Sequence, residues 1–490
     1  MAGSGKLTRR ECLKGPLAAT AGALAASSLP ASVWSQVAGA NGLVRLAVVG
    51  VQRRGPQLIE AFRQVPGVRI VAVCDADTAF TDRQKQAFEK RRQELRTYQD
   101  VRKLLEAKDV DAVAVATPNH WHALMCVWAC QAGKDVYVEK PVSHGIWEGR
   151  RMVEAARKYG RIVATGTQNR SDVGLRAALE YLREGPLGRM LVARGFDYPQ
   201  REPIGKVDGP QVPPATVDYN LFQGPAPLVP LRRERLHYDW HYVWATGDGD
   251  CGNRGVHTLD MIRWFLGAPA LAPSVVSVAG RFGWDDDGQT PNSQVTVLGY
   301  EPVPIVWELH TLPKLRNDGG AGPAGGVRTS MVIEYEGGFF AGYRGGGRVH
   351  DAKGKVVRSF KGDGGRTHYA NFIDAVRSRR PADLRADVLE GHVSSALCHQ
   401  ANVSYLVGRR TGPDETAGAI KDDALLAEAT GRLFRHLSAN GIDPKQVPIT
   451  LGPKLAFDPK AERFTGEHSD WANMCLKASY RPPFIVPENV

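Results

Sequence analysis

From residue 43 onward, short apolar runs alternate with amphipathic stretches. The runs 44–49, 68–74, 112–116, 136–138 and 162–164 are almost continuously apolar, the pattern of strands buried on both faces. Between them, stretches near 57–64, 82–95, 101–107, 121–132 and 147–159 space their apolar residues three and four apart, which lines one side of a helix. Strand and helix in alternation predict a doubly wound parallel sheet over residues 43–166. After Gly166 the pattern changes: 170–184 is helical, and longer β-rich runs follow at 190–196, 274–281, 294–298, 305–309 and 330–335. Those runs predict a large, mostly antiparallel open sheet, joined by helices near 370–377, 388–407 and 423–439 in an α+β domain spanning 167–450. The fold class is therefore α/β, a parallel Rossmann-type sheet followed by a second domain. Residues 451–490 carry aromatics and prolines and are expected to pack on the body as a tail. The glycine-rich 317–326 and 345–347 read as turns or loops.

Composition narrows the class. Apolar residues at 43% and charged residues at 23% exclude a disordered, fibrous or multi-span membrane protein. The formal charge is +11, of which residues 1–35 carry +3 through Lys6, Arg9, Arg10 and Lys14 against Glu11. The remaining +8 is scattered among acids without a basic run, a solvated surface rather than a nucleic-acid footprint. Thr8-Arg9-Arg10-Glu11-Cys12-Leu13-Lys14, followed by an Ala-rich run at 16–29 and small residues at Ala31-Ser32, resembles a twin-arginine export signal. The run falls short of the roughly twenty apolar residues that span a bilayer. An exported, periplasmic chain with no membrane attachment once 1–35 is removed is expected. Of seven cysteines, Cys12 leaves with the signal and the other six lack the spacing of a disulfide framework. Cys126 and Cys130 sit four apart on a predicted helix, where a metal would need further ligands nearby; they read as buried packing, and no metal site is assigned.

Chemistry gathers at the ends of the predicted parallel strands. The first strand runs into Gly50-Val51-Gln52-Arg53-Arg54-Gly55. In a dinucleotide turn the glycines permit a tight bend, close approach of a pyrophosphate and close helix packing. Here Gln52 stands at the middle position, with Arg53 or Arg54 available to supply charge; a plain strand-to-helix turn fits the segment as well. Asp75, at the end of the second strand, is placed to accept hydrogen bonds from ribose hydroxyls, which favours NAD over NADP, although it and Asp77 also suit helix capping. The third long strand leads into Thr117-Pro118-Asn119-His120-Trp121-His122 at the sheet's carboxyl edge, where such folds bind ligands; Asn119 also suits a helix N-cap. In Glu139-Lys140-Pro141 the proline fixes the chain direction and orients Lys140 toward the crevice.

Ala116–His122, Glu139-Lys140-Pro141 and Gly166-Thr167-Gln168-Asn169, with the twin-arginine start, together resemble the Gfo/Idh/MocA oxidoreductase family over about residues 43–407. The resemblance implies a nicotinamide cofactor held by Gly50, Gln52, Arg53, Arg54, Gly55, Asp75, Thr117, Pro118, Asn119, His120, His122, Glu139, Lys140 and Gln168. It further implies that Lys140 touches both nicotinamide ribose and substrate hydroxyl. Residues 247–265 resemble the family's catalytic helix, with Asn253 where an Asp is frequent. An amide takes no proton, so His257 is the base for any alcohol oxidation. Four residues apart, Asn253 and His257 share a helix face; a satisfied core histidine is the alternative for His257. Lys140, Asn253 and His257 form the catalytic set. Asn169, Tyr219, Trp240 and Tyr242 join them as substrate contacts, since aromatic faces and hydrogen-bonding groups suit sugars; core packing explains the aromatics equally. His368, 371–377 and Gly391-His392 are expected to be structural or oligomer contacts. A homo-oligomer through the second sheet's open face is implied by resemblance only.

Three functions fit. One is hydride transfer from a sugar, cyclitol or glycoside hydroxyl to tightly bound NAD, loaded before export and regenerated in each cycle. Another is a redox-neutral glycosidase that oxidises C3 transiently. The third is a non-catalytic sugar-binding protein.

Overall fold

The computed structural model describes residues 42–313 and 330–490; the segment 1–35, expected to be an export signal, and the glycine-rich 317–326 lie outside them. The apolar runs form β1 (Val44–Val49), β2 (Val68–Cys74), β4 (Ala112–Val115), β5 (Asp135–Val138) and β6 (Val163–Thr165), with β3 (Arg96–Tyr98) between β2 and β4. All six are parallel, in the order β3-β2-β1-β4-β5-β6. The order reverses between β1 and β4, and a crevice opens at such a switch point outside the carboxyl ends of the strands. The sequence pattern misses β3 because Arg-Thr-Tyr is a short, polar and largely exposed strand.

The second sheet is built from β7 (Met190–Asp197), β8 (Ser274–Gly280), β9 (Ser293–Leu298), β10 (Ile305–His310), β11 (Met331–Tyr335), β12 (Gly338–Tyr343), β13 (Gly346–Asp351) and β14 (Val356–Lys361), extended by β15 (Arg409–Thr411) and β16 (Ile449–Leu451). Its order is β14-β13-β12-β11-β7-β10-β9-β8-β16-β15, antiparallel except for β7 with β10. Two-residue alternation divides the strands between two cores. Ile305, Trp307 and Leu309 of β10 face helices Val173–Arg183, Val256–Leu266 and Val388–Leu406. Val306 joins Val192, Val276, Val278, Val295 and Val297 in the opposite core, under helices Pro413–Ile420 and Ala424–Ala439. Part of the sheet face that the resemblance reserves for a partner subunit is thus covered by the chain's own helices.

The tail is more than a wrap. Its β17 (Leu455–Asp458) pairs with β8 and with β18 (Arg463–Thr465), and Phe484 and Val486 sit in the core of the parallel sheet beside Trp121. Cys74, Cys126, Cys130, Cys251 and Cys398 are buried free thiols and Cys475 is an exposed one. Among the described residues no helix is long and apolar enough to cross a membrane.

Candidate functional site

β1 is followed by Gly50, whose φ of +81° suits glycine, and a Cβ there would lie 2.6 Å from the Ala116 carbonyl oxygen. A Cβ on Gly55 would fall 2.0 Å from the Gly50 oxygen, so Gly55 allows the helix start to close onto the turn without lining the cleft. The helix Arg54–Arg63 begins at Arg53 with no side-chain cap; its orphan amide donors and positive dipole end suit a pyrophosphate. Asp75 accepts from the Val51 amide at 2.7 Å and the Asp77 amide at 3.0 Å. Capping falls to Asp77, which accepts from Ala79 at the start of the helix Thr78–Glu89. Burial raises the Asp75 carboxyl to about 6, leaving it mostly ionised at neutral pH with spare lone pairs for ribose hydroxyls. Turn, uncapped helix and acid fit an adenine dinucleotide.

These groups line one cleft of about 380 Å³ that also contains Lys140, Asn253 and His257. Gln52, Arg53, Arg54, Thr117, Pro118, Asn119, His122, Glu139, Gln168 and Trp240 line it as well. More than a hundred residues separate Lys140 from His257 in the chain, yet the structure opens both onto one crevice.

Lys140 is held rather than free. Its Nζ donates to the Asn253 backbone oxygen at 2.8 Å and to Asn253 Oδ1 at 3.2 Å. Burial lowers its pKa to about 8, against the opposing pull of Glu139. Glu139 is itself buried; its carboxylate accepts from Arg54 Nε at 2.8 Å and from Gln168 Nε2 at 3.4 Å. Gly166 makes room for it, since a Cβ there would stand 2.6 Å from Glu139 Oε2. His122 joins the two sides of the lysine segment, its ring nitrogens 2.6 Å from the Pro141 oxygen and 2.9 Å from the Thr117 oxygen. A buried ring so engaged orients Lys140 rather than reacting.

Residues Cys251–Gly255 form a π-helical turn leading into the helix Val256–Leu266, so the α-helical spacing expected for Asn253 and His257 does not hold. Both nonetheless reach the cleft, and π-turns recur at functional sites. Asn253 Nδ2 donates to Asp250 Oδ1 at 3.1 Å, and Asp250 is paired with Arg201 at 2.7 Å. The amide is therefore oriented with its oxygen toward Lys140. His257 is pushed well below the usual histidine range, first by burial and then by the charges of Lys140, Arg344, Arg254 and Arg54. It is neutral at pH 7 and can accept a proton.

Several expectations need correction. Arg54 is committed to Glu139, to the Tyr369 hydroxyl at 2.9 Å and to Gln57 at 2.7 Å. Arg53 is the more available cation, its guanidinium 4.5 Å from the Tyr238 ring centroid. Asn119 is the first helical residue, not a cap, and donates to Asp248 Oδ2 at 2.8 Å. His120 does not line the cleft: its ring faces the carbonyls of Thr246 and Phe222, beside a second cavity of about 290 Å³. Asn169, Tyr219 and Tyr242 also lie off the cleft lining. Tyr219 donates to the Val229 oxygen at 2.9 Å, and Tyr242 is buried against Asp250. In their place Tyr238 and His241 line it, the latter stacked on Trp240 at 3.6 Å. Both stand within the aromatic run 237–244, which was the available signal. Arg344 also lines the cleft, from a glycine-rich hairpin that offered none.

Residues 44–167 match the Gfo/Idh/MocA family model, an oxidoreductase family with an NAD-binding Rossmann fold, and residues 186–297 match a C-terminal α/β domain model of the same family. Inositol 2-dehydrogenase of Salmonella typhimurium is 32% identical over 157 residues, 32% of this chain and 46% of that protein. A glycosyl hydrolase family 109 protein of Shewanella baltica is 30% identical over 205 residues, 37% of this chain and 44% of its own length. The chain spans less than half the length of these curated relatives. WlbA dehydrogenase from Bordetella pertussis, solved with NADH and UDP-GlcNAcA, shares the fold with a TM-score of 0.54 over 73% of this chain and 95% of that one, at 19% identity. Biliverdin reductase from Synechocystis, solved with biliverdin and NADP+, does so at a TM-score of 0.53 and 16% identity over 73% of this chain and 98% of its own, so the fold alone does not name a substrate. Two segments of the chain, 44–167 and 186–297, are thus similar to the two domains of the Gfo/Idh/MocA oxidoreductase family, and the two-sheet fold is shared with these solved dehydrogenase and reductase structures.

Proposed function

We propose that this protein oxidises a CH–OH group of a sugar, cyclitol or glycoside, with NAD as hydride acceptor. The observation that carries the reading is the shared cleft: Lys140 and His257 open onto the crevice that also holds the Gly50 turn and Asp75. A substrate hydroxyl lying between the two side chains meets an ammonium donor and a neutral imidazole. His257 takes the hydroxyl proton, and Lys140, held by Asn253, stabilises the alkoxide that develops. Bound nicotinamide supplies the acceptor for the C–H hydride. Asp75 supports NAD over NADP, because a 2′-phosphate would face a carboxylate.

The test is reduction of the dinucleotide, read at 340 nm, with a panel of polyols and sugars. Lys140→Ala and His257→Ala are each expected to lower kcat by about 10²-fold or more. Unchanged turnover in both variants would remove the reading, and absence of any turnover in the wild type would favour the non-catalytic sugar-binding alternative instead.

The glycosyl hydrolase relative favours a second reading, a glycosidase working by transient oxidation at C3 with no net redox change. Asn253 in place of an acid is compatible with it. Release of aglycone from an aryl glycoside without added dinucleotide, and without accumulation of its reduced form, would select it over the dehydrogenase.

Export through the twin-arginine route with the dinucleotide already bound, a periplasmic location and a homo-oligomer complete the proposal. Mass analysis of the nucleotide released by heating the purified protein tests the retained cofactor.

A further inference from the structure

Positive charge gathers around His257. Lys140, Arg344, Arg254 and Arg54 all oppose protonation of its ring. Arg54 is offset by Glu139 at 2.8 Å, and Arg254 lies 4.0 Å from Asp197 with half its side chain exposed. Arg344 lines the cleft and has no ion-pair partner among the described residues.

An exposed arginine is ordinarily just solvated, but the backbone of this one is tightly placed. Arg344 and Gly345 form the two-residue turn between β12 and β13, in which Tyr343 pairs with Gly346. The Gly345 oxygen accepts from the Gly362 amide at 2.7 Å, and a Cβ on Gly346 would fall 2.0 Å from the Phe360 oxygen. The loop that anchors the turn is anchored in its own right: the Gly364 amide donates to Asp172 Oδ2 at 2.6 Å. A Cβ on Gly365 would meet the oxygen of the cleft-lining Gln168 at 2.2 Å, and one on Gly364 would stand 3.9 Å from Arg344 Nε. The hairpin tip is thus seated against the cleft wall, which lowers the ordering cost of using its side chain.

On the fit described above, a dinucleotide pyrophosphate belongs at the Gly50–Gly55 turn and does not answer the charge beside His257. A guanidinium fork matches carboxylate and phosphate oxygens in paired hydrogen bonds. We propose that the substrate is an anionic sugar or polyol, whose carboxylate or phosphate is received by Arg344 while its reacting hydroxyl lies between Lys140 and His257. This rests on the hydride-transfer reading and names the substrate class for it.

The test is equilibrium binding to the NAD-loaded protein, followed by quenching of tryptophan fluorescence, Trp240 being in the cleft. The probes are hexoses, the matching hexuronates and the hexose 6-phosphates, at low salt. At least one anionic probe is expected to bind about 10- to 100-fold more tightly than its neutral counterpart. Arg344→Gln is expected to bring that ratio near one, and Arg344→Lys to restore part of it; the uronate and phosphate arms distinguish the two anions. Equal affinity for neutral and anionic probes, no binding of any anionic probe, or a preference that survives Arg344→Gln would overturn the proposal. Anion preference without reduction of the dinucleotide would instead sink hydride transfer and leave anion recognition standing. Turnover of polyols with no anion preference would do the reverse.

Discussion

At Lys140 two influences oppose each other: burial drives the ammonium toward losing its proton, while Glu139 and Asp250 help to keep it. The result, about 8, sets a pH dependence. Below that value Lys140 carries the proton that stabilises an alkoxide; as pH rises through it, the donor is lost and kcat/KM should fall. His257, held below the usual histidine range, stays an available base through neutrality. A kcat/KM profile is therefore expected to show a plateau near neutrality and a descending limb centred near pH 8. Asn253→Asp would place a carboxylate beside the Lys140 ammonium, which should move the alkaline limb upward by about one pH unit. An unmoved limb would show that Lys140 is not the titrating group. Lys140 and His257 were legible in the sequence because each stands in a local motif. Arg344 was not, because nothing near a lone arginine in a glycine-rich turn shows what it faces.

At the scale of elements, the site depends on close backbone approaches. Gly166 follows β6, where its missing side chain leaves room for Glu139, and Glu139 anchors both Arg54 and the Lys140 segment. Gly166→Ala would push against Glu139, with its Oε2 at 2.6 Å and its Cα at 3.1 Å from the new methyl. We expect a stability loss of about 1–3 kcal/mol, measured by urea denaturation, together with weaker dinucleotide binding by titration. Wild-type values on both counts would contradict the arrangement. The parallel strands were legible since β1, β4 and β5 are buried runs. Strands β12 and β13 were hidden by their glycines, and β14 by its exposure on the sheet edge, where Val356 and Val357 face solvent. The π-turn at Cys251–Gly255 carries no periodicity that sets it apart from the helix it precedes.

Across the whole molecule, distant parts of the chain complete each core. Phe484 is fully buried, its ring 5.4 Å from Trp121 and 6.4 Å from Trp128. Phe484→Ala should cost about 3–5 kcal/mol, visible as a lower denaturation midpoint; a loss under about 1 kcal/mol would mean that the tail is only an adjunct. Aromatics and prolines in 451–490 signalled packing, but not that the tail enters a core begun more than three hundred residues earlier. The helix Ala424–Ala439 covers the sheet over β7–β10. All of these long-range placements serve one claim, that Lys140 and His257 act together on a substrate carbon beside the nucleotide. Its most direct measurement is deuterium transfer from a carbinol-deuterated substrate to the protein's dinucleotide, read by mass spectrometry in a single turnover. Label in the reduced dinucleotide of the wild type, and its loss in Lys140→Ala and His257→Ala that still bind substrate, is the expected result. Label appearing equally in those variants, or dinucleotide reduced without label, would contradict the account.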